Sequence, residues 1–317
     1  MAGRSSFRRI AVGRARVVRE VRAAAPLMTA LRAPVSAAGP WLTAVLNAGA
    51  AHRFSGRPVA VVVEAHRQGR PDAVALLLLR RRGPVTTVTM LGGDHAPPGA
   101  PSARLLARDD EMAGLLADGV ADLLASLRRP RQLRLAGLPL GDPTTRKLAA
   151  RLPDGVLATV RTHALVDALD DVGPVTRSRD PRALDRWLTG LLAREPDPRA
   201  REFLRAAARL HAAIGQLEVA VVPDGDRLRA ALLTLVDGGS RRPWWGFGDG
   251  GPLPTALGSP AVSLTDPARD WPPVPRLRSR TAARWLPAPR PSWRVPGPAP
   301  ASRAPAASRP RPAGPRE

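Results

Sequence analysis

Hydrophobic and polar residues alternate along this chain with the periods of helices and strands, and the order of these patterns occurs twice. A helical pattern over residues 41–51 is followed by three strand-like stretches, and the helical pattern that ends at Ile214 is followed by three more. The predicted strands are residues 58–64, 73–79, 85–91, 217–222, 228–236 and 244–247. Asp, Gly or Pro lies in the turns between them, as tight reversals require. We therefore predict an internal duplication, in which each copy is a helix followed by a three-stranded antiparallel meander.

Further helices are marked by their first residues. Asp142, Asp180 and Asp197 each precede a proline, so the aspartate can cap the free N–H groups and the proline fits the first turn. Apolar residues on one face also predict a helix over 110–128, with acidic residues at its positive end. The first copy thus continues through this helix into a strand at 132–136, a helix at 143–152 and a strand at 156–166.

The second copy does not continue in this way. Seven prolines lie between residues 252 and 275, and residues 271–317 contain thirteen. Because proline interrupts helices and sheet ladders, we predict no further core element after Asp249 and a disordered tail. One explanation is a change of reading frame, which in G+C-rich DNA yields Arg-, Pro- and Ala-rich runs.

The resulting fold class is α/β (α+β), with two modules of mixed, largely antiparallel sheet, the second truncated. The predicted divisions are a basic N-terminal arm, a first module, a partial second module and a Pro/Arg-rich disordered tail. These correspond to residues 1–39, 40–170, 171–262 and 263–317.

Charge is concentrated at the ends of the chain. The formal net charge is +22, and eight arginines lie in residues 1–32 and ten in 271–317, which leaves a mildly charged body. This distribution predicts a core with basic tails that bind polyanions weakly and nonspecifically. For the N-terminal arm we expect a solvated or loosely docked segment, with attachment to acidic lipid as the alternative.

Several classes of function are excluded or disfavoured by composition. There is no cysteine, hence no disulfide or thiolate nucleophile, and the five histidines have no metal-like spacing. Gly-x-Ser-x-Gly, the phosphate-binding P-loop and His-Glu-x-x-His are all absent, which removes the common hydrolase, nucleotidase and metalloprotease hypotheses. No apolar stretch approaches the roughly 20 residues that span a bilayer, so we expect a soluble, cytoplasmic protein without a transmembrane segment or a metal.

A few residues are candidates for chemistry. Asp94 and His95 follow the first meander and form a candidate acid/base pair, although a surface loop is the commoner outcome. Gly246, Gly248 and Gly251 formally satisfy G-x-G-x-x-G, but the prolines that follow favour a simple strand-end turn. Trp244 and Trp245 are candidates for an acceptor pocket, and by strand alternation one of them should face the core. His211 predicts a partly buried, hydrogen-bonded imidazole on a helix.

The layout of helix, antiparallel meander, helix, strand and helix resembles the GNAT acyltransferase fold. Two copies in tandem resemble the Fem-type aminoacyltransferases and the related CelD-like proteins. The resemblance covers roughly residues 40–262. It is carried by this layout and by Trp41, Gly56-Arg57-Pro58, the segment FLRAAARLHAAIGQLEVAVV, and Gly-Phe-Gly-Asp followed by Ser259-Pro260.

The resemblance implies transfer of an acyl group from acyl-CoA or aminoacyl-tRNA to an amine or hydroxyl acceptor. The best match to the GNAT pyrophosphate loop begins at Pro243, where Arg or Gln is usual, and Arg242 comes one place early. The donor-binding candidates are Arg242, Trp244, Trp245, Gly246 and Gly248, and the catalytic candidates are Asp94, His95 and Asp249. The elements missing after the second meander would have formed one wall of the donor site.

These observations lead to one main hypothesis and two alternatives. The main hypothesis is a GNAT-like acyl or aminoacyl transferase whose activity is either intact or impaired. The alternatives are a noncatalytic scaffold or binding protein of the same fold, and a basic-tailed protein that associates with nucleic acid.

Overall fold

A computed structural model describes residues 6–51, 56–66, 69–99, 101–128, 130–225 and 227–267. The predicted disordered tail lies outside these residues, apart from its first five positions. The helices are α1 (Arg14–Ala23), α2 (Ala25–Ala30), α3 (Gly39–Ala51), α4 (Asp110–Ser126), α5 (Pro143–Arg151), α6 (Pro181–Ala193) and α7 (Pro198–Ala213). Among the described residues, no helix combines the length and apolarity needed to span a membrane.

The strands form one large sheet, one four-stranded sheet and a two-stranded ribbon. The large sheet contains β1 (Phe7–Val12), β2 (Arg57–Glu64), β3 (Ala73–Arg82), β4 (Val85–Met90), β5 (Leu106–Ala107), β6 (Arg131–Leu138), β7 (Val156–Val160) and β14 (Ala261–Asp266). The four-stranded sheet contains β9 (Thr176–Ser178), β10 (Leu217–Asp224), β11 (Arg227–Asp237) and β12 (Ser240–Phe247). The ribbon pairs β8 (His163–Leu165) with β13 (Thr255–Leu257).

The large sheet has the strand order β1-β2-β3-β4-β6-β14-β7, with β5 beside β3. All its pairs are antiparallel except β4 with β6, which run parallel from Thr86 opposite Arg131 to Thr89 opposite Arg134. The central strands are apolar on both faces because helices cover both sides of the sheet. Helix α4 packs against one face, and α1 to α3 pack against the other.

The four-stranded sheet has the order β12-β11-β10-β9 and is entirely antiparallel. Helices α6 and α7 cover one of its faces with leucine, alanine and Phe203 side chains. Both helices begin as predicted: Asp180 and Asp197 accept hydrogen bonds from the backbone N–H groups of Arg182 and Arg199, at 2.9 and 3.0 Å.

The predicted repetition of helix and meander is present, and each copy begins with an additional strand that the sequence analysis missed. In the first copy β1 pairs with β2, and in the second β9 pairs with β10. Helices lie between these two strands in both copies. The shared unit is therefore strand, helices and three-stranded meander.

The expectation of a solvated N-terminal arm is wrong for residues 7–30. Strand β1 pairs with β2 along its whole length, and Val17 and Val21 of α1 are buried against the sheet. The basic residues alternate with apolar ones, so the arginines remain on the surface while the valines pack. One of them, Arg9, is ion-paired with the buried Glu64.

The expectation of no core element after Asp249 is also wrong. Strand β14 lies between β6 and β7, and its Leu264 is fully buried in the first core. Pro260 and Pro267 flank this strand without interrupting it, so they remove no donor from the ladder. The strand predicted over 156–166 is divided into β7 and β8, which belong to different sheets.

Candidate functional site

The two repeats meet at a cluster of aromatic rings. Trp41 of α3 is fully buried and contacts Phe203 of α7 and Trp244 of β12 edge-on, with ring centroids 5.0 and 5.1 Å apart. His95, just after β4, stacks on Phe203 with centroids 4.2 Å apart and an interplanar angle of 15°. The end of the first meander is thereby fixed against the helices of the second copy.

The turn that presents His95 depends on a glycine. Gly92 has a φ of 82°, which disfavours other residues, and a Cβ there would lie 3.3 Å from Nε1 of Trp41. The chain therefore leaves β4 close to Trp41 and forms a single 3₁₀ turn over Gly93–His95.

Burial lowers the pKa of the half-buried His95, so its ring is mainly neutral near pH 7. Asp94 opposes this shift, Arg80 adds to it, and Asp197 and Glu195 oppose it more weakly. The imidazole thus lies near three carboxylates, two of which come from the loop between α6 and α7. A neutral base close to carboxylates is suited to accept a proton from a cationic amine.

The α6–α7 loop is held by Glu195. Its carboxylate accepts hydrogen bonds from Nε1 of Trp245 at 3.1 Å and from the backbone N–H of Asp197 at 3.2 Å. Its carbonyl oxygen accepts two bonds from the Arg201 guanidinium, at 3.1 and 2.8 Å. The loop is therefore tied both to β12 and to α7.

Trp244 and Trp245 both contact the helix-covered core of the second copy, which contradicts the alternation expected for a strand. The register of β11 with β12 shifts between Leu233 and Thr234, so that Trp245 lies opposite Leu233 and Pro243 opposite Thr234. This β-bulge places one extra residue in β12 and redirects the side chains beyond it. Trp244 is buried, whereas Trp245 is half-exposed and packs edge-on against Phe247.

The remaining predicted site residues contribute no ring to this cluster, and most of them are engaged in ion pairs, hydrogen bonds or close packing elsewhere. Asp94 is ion-paired with Arg80, and Asp249 accepts a hydrogen bond from Arg229 at 2.6 Å. Arg242 is half-buried in β12. Gly246 packs closely on β11, and the N–H groups of Gly248 and Gly251 each bond to the other's carbonyl oxygen.

The first copy has a place where parallel strands separate, and in sheets of this kind ligands often bind at such a place. Beyond Arg134, β6 no longer pairs with β4. The backbone N–H groups of Ser102 and Ala103 instead bond to the carbonyl oxygen of Gly137, at 2.8 and 2.9 Å. Residues 102 and 103 therefore occupy the place beside β6. A neighbouring cavity, lined by these two residues and by residues of β3 and β4, holds only about 10 Å³, far below the roughly 300–1,000 Å³ of ligand pockets.

The start of α4 is also unsuited to phosphate. The Asp109 carboxylate accepts a hydrogen bond from the N–H of Met112 at 2.8 Å, and Asp110 and Glu111 occupy the first turn. These negative charges use the positive end of the helix dipole and repel a second anion. The first copy therefore does not fit a phosphate-bearing acyl donor.

The second copy differs because β12 is an edge strand. Within the described part of the chain, no strand pairs with its outer side, and no helix follows it before residue 267. One row of its backbone N–H and C=O groups therefore takes part in no sheet ladder among these residues.

Three contributors to the cluster were not identified as site residues: Trp41, Phe203 and Glu195. Their approach depends on contacts between the two copies, and a single sequence shows no periodicity for such contacts. In the described ranges, no group of three or more His, Asp or Glu side chains is placed to hold a metal ion.

Residues 144–250 match the family model for the acetyltransferase (GNAT) domain, so the predicted GNAT resemblance is confirmed over this range. The match extends from α5 to the end of β12 and includes the whole second meander. A comparison with curated proteins finds no match. The finer resemblance to Fem-type and CelD-like proteins stays a prediction.

Solved structures with a related chain path include three proteins of low identity. One is a GCN5-related N-acetyltransferase from Sphaerobacter thermophilus, at 13% identity and a TM-score of 0.31, covering 84% of this chain and 98% of that one. Another is a tandem GNAT protein from the clavulanic acid biosynthesis pathway, with 12% identity and a TM-score of 0.34. That likeness covers 82% of this chain and 98% of the other. The third is a conserved protein of unknown function from Enterococcus faecalis V583, described as a probable N-acyltransferase. Its identity is 9% and its TM-score 0.30, and the likeness covers 82% of this chain and 72% of that one. Because these TM-scores are low, the GNAT resemblance rests on the family match over residues 144–250.

Proposed function

We propose that this protein is an N-acyltransferase of the GNAT type whose donor binds along β12 and whose acceptor amine is deprotonated by His95. The observation that carries the proposal is the position of His95, a neutral imidazole between the end of the first meander and Phe203, with Asp94, Glu195 and Asp197 nearby. Asp94 is already paired with Arg80, so Glu195 and Asp197 attract the ammonium group, and the imidazole accepts its proton. The freed amine attacks the acyl carbon of the thioester, the C–S bond breaks, and CoA leaves as the thiolate, which takes up a proton to give the free thiol.

The second copy is the better place for the donor. The family match covers β12, whereas the corresponding cleft of the first copy is filled by residues 102 and 103. The free edge of β12 fits the amide groups of acyl-CoA, and the half-buried Arg242 could meet a phosphate. Acyl-CoA supplies the activated thioester. Aminoacyl-tRNA is the other donor class that the resemblance implies.

The test is release of free CoA thiol from acetyl-CoA in the presence of a panel of primary amines. We expect turnover in the wild type, with a rate that rises with pH as His95 loses its proton. His95→Gln should lower kcat/KM about 100-fold or more, because it removes a general base. The control is His163→Gln, which removes an exposed histidine from β8 and should leave the rate unchanged.

Two results would contradict the proposal. Unchanged kcat/KM in His95→Gln would exclude the role given to His95. Absence of thiol release with every amine, together with no rise in melting temperature on adding acetyl-CoA, would exclude this donor.

A noncatalytic binding protein of the same fold is the second candidate. It is favoured by the filled cleft of the first copy and by the absence, within residues described after β12, of a helix that could bind phosphate. Stabilisation by acetyl-CoA without turnover would favour this candidate over the enzyme.

A further inference from the structure

Large apolar side chains exposed to solvent are concentrated at one edge of the large sheet. Of seven such residues in the described part of the chain, Val156, Leu157 and Val160 lie in β7 and are exposed by 45–57%. A fourth, Leu257, is exposed by 68%. Leu257 is opposite His163 in the ribbon, close to where β7 ends. An apolar cluster of this kind marks an interaction surface.

Strand β7 is the last strand of its sheet. It pairs with β14 on one side and, among the described residues, with nothing on the other. All five of its residues are exposed. Its sequence, Val-Leu-Ala-Thr-Val, contains no proline and no charge, the features by which edge strands usually avoid pairing with other chains.

We propose that β7 pairs with β7 of a second copy of this chain, so that the two large sheets form one continuous sheet across a two-fold axis. Antiparallel pairing centred on Ala158 places Val156 opposite Val160 of the partner subunit, and Ala158 opposite its own equivalent. Such pairing is self-complementary, as a two-fold interface requires.

The chain's own tail is a poorer partner for this edge. Residues 271–317 contain thirteen prolines, and each of them lacks the N–H group that a sheet ladder uses. A second copy instead offers an uninterrupted strand with matching apolar residues.

The first experiment measures the mass of the full chain in solution by light scattering. The wild type should have twice the monomer mass of 33.6 kDa. Val156→Lys with Val160→Lys should give the monomer mass, because like charges then face each other across the axis. Val156→Glu with Val160→Glu should do the same. Mixing the Lys and Glu variants should restore the dimer, since each Lys then faces a Glu.

The matched control is Ile10→Lys with Ile214→Lys. These residues are also exposed apolar side chains, by 42% and 51%, but they lie outside the cluster. This variant should keep the dimer mass.

The proposal is overturned by a monomeric wild type, by a dimeric Lys variant, or by a mixture that stays monomeric. Dissociation of the control variant to the same extent would also overturn it, since the effect would then follow from charge alone. If circular dichroism shows that the Lys variant is unfolded, amide hydrogen exchange of the wild type tests the interface instead. The β7 amides must then become more protected as protein concentration rises, and no change with concentration excludes the interface.

Discussion

The two sheets begin with the same unit, but only one of them is extended beyond it. In the large sheet, the meander β2-β3-β4 is extended by β6, β14 and β7, whereas the second meander ends the four-stranded sheet at β12. The extension adds three strands beyond the first meander, and residues 102 and 103 bond to β6 where it separates from β4. A shared unit is therefore followed by further strands in one copy, whereas in the other copy the last strand of the meander, β12, is an edge strand.

Strand β14 accounts for much of this difference. The chain leaves the second meander and returns to the first sheet, where β14 separates β6 from β7. The segment that could have extended the second sheet thus completes the first. Together with the family match over residues 144–250, this explains why we place the donor in the second copy.

The largest predicted effect concerns β14. Leu264→Ala should lower the free energy of unfolding by about 2 to 5 kcal/mol, because it leaves a cavity in the core of the first sheet. Chemical denaturation measures this change. Ile214→Ala is the control: the side chain is 51% exposed and lies outside the apolar cluster at β7, so the substitution should change stability by less than about 0.5 kcal/mol.

Equal, small effects of both substitutions would show that β14 contributes little to the first sheet. The comparison between a sheet that is extended beyond its meander and a sheet that ends at its meander would then lose its main support.

The meanders and most helices could be predicted because they depend on local patterns. Asp180 and Asp197 mark helix starts through bonds to residues two positions away, and the strands of each meander are joined by short turns. Strand β14 could not be predicted, because its partners in β6 and β7 lie more than about 100 residues earlier in the chain.

The candidate site was predictable only in part, for the same reason. His95 and Trp244 were identified, but Phe203 contacts both of them through the packing of one copy on the other. The bulge in β12 likewise depends on its register with β11. The alternation of side chains along a strand therefore predicted the wrong face of the sheet for one of the two tryptophans.

A second prediction asks whether the glycines at the end of β12 serve packing or ligand binding. A Cβ on Gly246 would lie 2.5 Å from the carbonyl oxygen of Ala231 and 2.7 Å from Leu253, so Gly246→Ala should destabilise the protein by about 1 to 3 kcal/mol. At Gly248 the nearest atom of Leu253 is 3.6 Å away, so Gly248→Ala should be nearly neutral for stability. Thermal and chemical unfolding compare the two variants.

The affinity for acetyl-CoA tests whether the glycines at the end of β12 also bind the donor. Since the N–H groups of Gly248 and Gly251 are bonded within their own turn, Gly248→Ala should leave donor affinity unchanged. A marked loss of affinity in this variant would show that the turn opens to bind the donor.

The smallest predicted effect concerns His211 of α7, which lies in the shared core. It is fully buried, and neither ring nitrogen has a well-aligned hydrogen-bond partner among the described residues, contrary to the hydrogen-bonded imidazole that was expected. Burial lowers the pKa of His211, and Gln216 opposes this shift only in part. Between the lowered pKa and about 6.5, the unfolded chain binds more protons than the folded one, so stability should fall as pH drops below about 6.5.

His211→Leu should therefore weaken the loss of stability between pH 7 and pH 5, by at most about 1.4 kcal/mol per pH unit. Some dependence should remain, because the pKa of His95 is lowered in the same direction. His163→Leu, at an exposed position in β8, is the control and should keep the wild-type profile. Denaturation midpoints of the three proteins, measured between pH 7 and pH 5, show whether His211 causes the loss of stability. If His211→Leu and the wild type lose stability in parallel, the buried imidazole is not the origin of the pH dependence, and the shared core tolerates its protonation.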